Sequence, residues 1–221
     1  MSMIKHHLSD ETIAQYAAGH LDQARMVVVA THIDRCETCR EASHDFDTIG
    51  GVCLETIAPA AMDKDALKTF WESADLAEPT NREVSFHADN DTLPEIVLPL
   101  SDYIVGGLDA IKWRQIAPGV SGHKLDAEGY RKGALSLLKI SPGTRIPVHS
   151  HKGQELTLIL RGAYQDKYGT FNVGDIADLG NSHTHSPQAI GDEPCICLIA
   201  TSAPLVFQGL MGKIIQPFIK L

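Results

Sequence analysis

The sequence predicts an α+β chain in two parts, a small metal-bound helical bundle followed by an antiparallel β-barrel or sandwich. Three observations carry that expectation. Apolar residues up to Ala74 recur at helical spacing, whereas after Pro94 the chain breaks into short apolar runs punctuated by Gly and Pro. Each part also holds a group of His, Cys or Glu side chains at metal-ligand spacing.

The helices come first. Ser9 is placed to N-cap a helix with Asp10 and Glu11 in its first turn, Ile13, Tyr16 and Ala17 on one face, and Gly19 as its stop. A second helix is expected over about Leu21 to Thr31. A third is expected from about Cys36 to Asp47, closed by Gly50 and Gly51. A fourth carries Leu67, Phe70, Trp71 and Ala74 at i, i+3, i+4 and i+7. That stripe is expected to pack onto its own domain, as most amphipathic stripes do, with a face kept for a partner as the alternative. Between Glu78 and Pro94 the residues become polar and proline-flanked, so the boundary falls there: helices over 1–80, a linker over 81–94 and a second domain over 95–221. Strands are expected at Ala134 to Ile140, Glu155 to Leu160, Asp175 to Leu179, Cys195 to Ala200 and Ile214 to Ile219.

His32, Cys36 and Cys39 form the run His-x3-Cys-x2-Cys. On helical backbone, or across a helix junction, these three can converge on one ion, and an upstream imidazole completes the set. His6 and His7 are adjacent, so one of them points inward; His7, nearer the first helix, is favoured. Two thiolates and two imidazoles satisfy tetrahedral Zn²⁺ with no position left open, which marks a structural rather than a hydrolytic site. A redox dithiol is the competing reading of the Cys pair.

The second cluster reads G-x5-H-x-H-x3-E-x6-G from Gly143 to Gly162. Residues two apart on a strand share a face, so His149 and His151 can project together, and Glu155 at the start of the next strand adds an oxygen ligand. Downstream, either His183 or His185 can supply a third imidazole; His185 is favoured. A three-His, one-carboxylate set suits Zn, Mn, Fe or Ni.

Charge and composition exclude several functions. The chain carries −9, and residues 1–80 hold six cations against fourteen Asp and Glu, so nearly all of the excess lies in the helical part. A nucleic-acid partner, which needs clustered Lys and Arg, is not expected. An acidic helical module suits a basic protein surface, or simply stays solvated. The longest early apolar stretch, Met26 to Ala30, is far too short to span a bilayer, so no membrane role is expected. Five cysteines, two of them at metal spacing, fit a reducing cytoplasm better than a disulfide framework and leave Cys53, Cys195 and Cys197 as thiols.

The second motif resembles the paired metal motifs of the cupin superfamily, although the proline and final glycine usual before the last histidine are missing. Taken whole, the chain resembles the ChrR family of zinc-dependent anti-sigma factors, in which a helical zinc domain precedes a cupin. The likeness is carried by His-His-Leu-Ser-Asp at 6–10, Tyr-Ala-Ala-Gly at 16–19, Val-Val-Ala-Thr-His at 28–32 with Cys36 and Cys39, Gly143 to Gly162, Cys-Ile-Cys-Leu at 195–198, Ala203-Pro204-Leu205 and Gln216-Pro217-Phe218. The resemblance implies a cytoplasmic protein that sequesters an extracytoplasmic-function sigma factor and frees it under singlet oxygen or hydroperoxide sensed through the cupin. It implies zinc at His7, His32, Cys36 and Cys39, and a second zinc at His149, His151, Glu155 and His185. A homodimer in the absence of sigma is left open. The competing class is a cupin enzyme of dioxygenase or lyase type whose zinc-bound helices serve oligomerisation or interaction.

Overall fold

The computed structural model describes residues 3–74, 99–104, 106–125, 134–202 and 205–207. The expected linker at 81–94, the strand at Ile214 to Ile219, and Ala203, Pro204 and Gln216 to Phe218 lie outside the described residues. Two compact units are present, Met1–Thr48 with Pro94–Leu221, and Ile49–Leu93.

In the larger unit α1 spans Asp10–Ala17, and the Ser9 side chain accepts from the Thr12 N–H as its N-cap. Its stop is Gly19, at φ 68°, which lets the N–H of His20 reach back to Gln15 O at 2.8 Å. α2 (Gln23–Arg35) is capped by Asp22, which accepts from the Arg25 N–H. It runs one turn beyond the expected end at Thr31, because Ile33 packs against the core and the Cys36 N–H still bonds His32 O at 2.9 Å. Cys36 is the extended residue of the junction, and α3 (Glu37–Glu55) begins directly after it.

α3 corrects the expectation that Gly50 and Gly51 close the helix. Neither glycine adopts positive φ, and each costs a helix only about 1 kcal/mol relative to alanine, so the helix continues through both. In the smaller unit, α4 (Ala66–Ala74) forms where its stripe predicts, but none of its residues is buried. Leu67, Phe70 and Trp71 are 63%, 60% and 58% exposed, so among the described residues of this unit nothing covers the stripe. Ile49, Val52, Leu54, Ile57 and Met62 are exposed too; a segment this short cannot build its own core.

The rest of the larger unit is antiparallel β-structure: β1 (Arg114–Ala117), β2 (Val120–Lys124), β3 (Ala134–Ile140), β4 (His149–His151), β5 (Glu155–Arg161), β6 (Ala163–Asp166), β7 (Gly169–Asn172), β8 (Ile176–Leu179), β9 (Thr184–His185), β10 (Gln188–Ile190), β11 (Cys195–Thr201) and β12 (Leu205–Phe207). A six-stranded sheet runs β1-β2-β3-β11-β5-β8, and two three-stranded sheets run β10-β6-β7 and β12-β4-β9. These are the layers of the expected jelly-roll barrel.

The inner strands of the large sheet, β3, β11 and β5, are buried on both faces. Alternate residues Leu135, Leu137, Leu156, Leu158, Ile196 and Leu198 share one core with α1 and α2, through Ile13, Val28 and Val29. The intervening Leu138, Ile159, Cys195 and Cys197 meet Tyr164 and Phe171 in the barrel interior. Each fully buried leucine contributes about 1.5–3 kcal/mol, so this double burial anchors the helices to the barrel.

Candidate metal centres

The helix junction explains the first centre. His32 sits in the last turn of α2, Cys36 in the break and Cys39 in the first turn of α3, so a single bend turns all three toward one point. The extended segment before α1 brings the fourth. His7 Nδ1 lies 3.2 Å from Cys36 Sγ and 3.7 Å from Cys39 Sγ, and His32 Nε2 lies 3.3 Å from Cys39 Sγ. Ordinary Zn–N and Zn–S lengths in a tetrahedron put nitrogen and sulfur about 3.5 Å apart, so the residues fit zinc. His6 turns the other way, stacking on Phe171 at 4.1 Å with Nε2 3.1 Å from Thr170 O.

Burial pushes the Cys39 thiol up to about 12 and the His32 imidazole down to about 4. A neutral imidazole is the ligating form, and a buried thiol ionises readily only beside a cation. His32 Nδ1–H donates to Gly174 O at 3.0 Å, which leaves Nε2 as the lone-pair nitrogen facing the thiols.

The second centre lies inside the barrel. β4 presents His149 and His151 on one face, β5 opens with Glu155, and β9 pairs His185 directly opposite His149. All four side chains are buried, and their ligand atoms lie within 4.8 Å of one another. His149 Nδ1 bonds Pro147 O at 2.9 Å and His185 Nδ1 bonds Asp166 Oδ2 at 2.9 Å. Their Nε2 atoms then face each other at 2.9 Å as two lone pairs, an arrangement that a shared cation relieves.

His151 Nδ1 lies 3.3 Å from Glu155 Oε2 without hydrogen-bond alignment, and neither ring nitrogen has a hydrogen-bond partner. Buried polar atoms left unpaired in this way fit a site built for an ion. Burial, reinforced by the neighbouring imidazoles, lowers His149 to about 4 and His151 to about 3, and burial raises Glu155. His183 stays outside the cluster, accepting from the Gly180 N–H through Nδ1 at 3.1 Å.

The structure thus brings together all eight residues singled out in the sequence, and takes His7 over His6 and His185 over His183. It adds residues that the sequence did not flag. Asp166, with its side chain 1% exposed, orients His185, and the Thr157 hydroxyl donates to Glu155 Oε1 at 3.1 Å. Asp166 stands in an Asp-Lys-Tyr-Gly turn, where an acid reads as turn chemistry; only the fold reveals its partner.

A cupin-type barrel joined to a helical module, each with a convergent four-residue ligand set, defines the class of this protein. Residues 101–204 match the ChrR cupin-like domain family. The anti-sigma-E factor ChrR of Cereibacter sphaeroides is 36% identical over 219 residues, which is 99% of this chain and 99% of that protein. The crystal structure of Rhodobacter sphaeroides SigE in complex with the anti-sigma ChrR matches with a TM-score of 0.75 at 35% identity, covering 90% of this chain and 99% of that one. The chain belongs to the ChrR family of anti-sigma factors. No helix among the described residues is long and apolar enough to cross a membrane.

Proposed function

We propose that this protein sequesters an extracytoplasmic-function sigma factor in the cytoplasm and frees it when the barrel receives an oxidative signal such as singlet oxygen or a hydroperoxide. In this reading residues 1–80 form the sequestering module, 81–94 the linker and 95–221 the receiving barrel. The observation that carries it is likeness over the whole chain, helices and barrel together, to a protein named as an anti-sigma factor and seen in complex with SigE.

The physical chemistry agrees. His7, His32, Cys36 and Cys39 hold zinc, whose part is to fix the α2–α3 bend; the soft thiolate pair selects it. His149, His151, Glu155 and His185 hold zinc or another divalent ion such as Mn, Fe or Ni. The exposed stripe of Leu67, Phe70 and Trp71 supplies an apolar face in an acidic setting, suited to a partner with an apolar patch rimmed by basic groups. Competition with polymerase needs a nanomolar-scale complex, about −12 kcal/mol.

The test is co-expression of the full chain with a candidate extracytoplasmic-function sigma factor from the source genome, followed by co-purification. A complex that is lost in Phe70→Asp/Trp71→Asp and in His32→Ala/Cys36→Ala supports the reading. A folded, metal-bound chain that binds no sigma factor overturns it.

The three-His, one-carboxylate geometry favours a second reading, a cupin dioxygenase or lyase, since such a set leaves coordination positions for substrate. Turnover of a chelating β-diketone by the full chain, abolished in Glu155→Ala, would establish it.

A further inference from the structure

The corner between β7 and β8 reaches out of the barrel to the first metal centre. Gly174 O accepts the Nδ1–H of His32 at 3.0 Å. The next residue, Asp175, is 1% exposed and uses one carboxylate oxygen to accept the N–H groups of Lys5 at 2.6 Å and His6 at 3.0 Å, and the other to accept the N–H of Asn172 at 2.8 Å. The Ile176 N–H completes the clamp on His6 O at 3.3 Å. These bonds hold the segment that ends in the ligand His7. Gly174, at φ 91°, leaves the space that Ile4 fills: a Cβ there would stand 2.9 Å from Ile4 Cγ1. Two of the four ligands of the helical centre are therefore set by backbone and carboxylate groups of the barrel.

We propose that Gly174 and Asp175 are positioning residues of the helical module's metal centre, so that metal retention by His7, His32, Cys36 and Cys39 and docking of residues 4–7 on the barrel form one linked equilibrium. This rests on the reading of that cluster as metal-binding. Outer-shell partners of this kind tune metal affinity by roughly 10–100-fold. Linkage makes the effect reciprocal: the factor by which docking tightens the metal equals the factor by which the metal tightens docking.

Cobalt separates this centre from the barrel site, because only bound thiolates give a sulfur-to-cobalt charge-transfer band. Full-length protein is titrated with Co²⁺ against a competing chelator, and hydrogen exchange is followed at the amides of Lys5 and His6 with and without metal. In Asp175→Ala the band is expected to be lost at roughly 10–100-fold lower chelator. Asp175→Asn, which keeps the shape but not the charge, is expected to fall between it and wild type. In the wild-type chain, removing metal is expected to speed exchange at both amides by a similar factor.

Cobalt affinity unchanged in Asp175→Ala, with those amides unprotected, overturns the proposal. So does amide protection in the wild type that is indifferent to metal, a result that needs no variant to fold. A wild-type chain that gives no sulfur–cobalt band removes the metal reading itself.

Discussion

Replacing Asp178 by alanine tests how the first helix is fastened to the sheet. Asp178 Oδ2 accepts from the Ser9 N–H at 3.1 Å, the Ser9 hydroxyl at 2.7 Å and the Thr12 hydroxyl at 2.7 Å, while Oδ1 accepts from Gln154 Nε2 at 2.6 Å. Gln154 also accepts from Arg25 Nη1 at 2.8 Å, so one carboxylate gathers α1, α2 and the start of β5. A hydrogen bond to a charged group is worth about 1.5–3 kcal/mol, and the site is only half-buried, so water recovers part of the four. A net loss of about 3 kcal/mol is expected, which for a chain of this size lowers Tm by about 6–12 °C. Thermal unfolding followed by circular dichroism measures it. Asp178→Asn, whose single amide oxygen can still accept from Ser9 and Thr12 but whose amide nitrogen cannot accept from Gln154 Nε2, should lose about half as much. The cycle with Thr12→Val should show a coupling of about 1 kcal/mol. A Tm within about 1 °C of wild type in Asp178→Ala would refute the idea that this network carries the docking.

Further outcomes follow from the same geometry. In metal-free protein His32 and His149 sit at about 4 and His151 at about 3, all below the 6.5 of an unfolded chain. The unfolded state therefore binds protons first, so stability is full above about pH 6.5 and falls toward pH 4; the raised Glu155 offsets part of the loss. Near-ultraviolet dichroism that holds down to pH 4 would contradict this. His185→Ala should remove the barrel's metal equivalent as measured by elemental analysis, whereas His183→Ala should leave it in place; equal losses would argue against the assignment. Leu198→Ala, at a fully buried position of the central strand, should cost about 2–5 kcal/mol in urea unfolding.

What the sequence made legible was chemistry with short-range grammar. Ser9 and Gly19 mark α1 because a cap and a left-handed stop are local events, and the two ligand runs converge because helix and strand periods fix which residues share a side. The sequence favoured His7 over His6 only through its nearness to α1; what occupies His6 instead, Phe171 and Thr170, lies more than 160 residues away, which no spacing rule contains. The glycine pair in α3 misled because glycine ends a helix only where the backbone must turn left-handed. β1, β2, β4, β6, β7, β9, β10 and β12 escaped the list of expected strands; each is five residues or shorter. One signal was present and unused. An antiparallel strand with one wet face alternates, yet Cys195 to Ala200 is apolar at every position, a run that fits the burial of this strand from both sides.

That double burial bears on how this chain can be dissected. A fragment cut at the expected linker would lose the cover that Ile13, Val28 and Val29 give to Leu135, Leu137, Leu156, Leu158, Ile196 and Leu198 and keep that of Leu100, Ile104 and Leu108, leaving part of a leucine-rich wall open to water, the sort of surface that drives proteins to aggregate or to recruit a substitute cover. The helices are thus a lid that the barrel needs for solubility, and whatever draws them away must leave that wall covered or bring something else to lie on it.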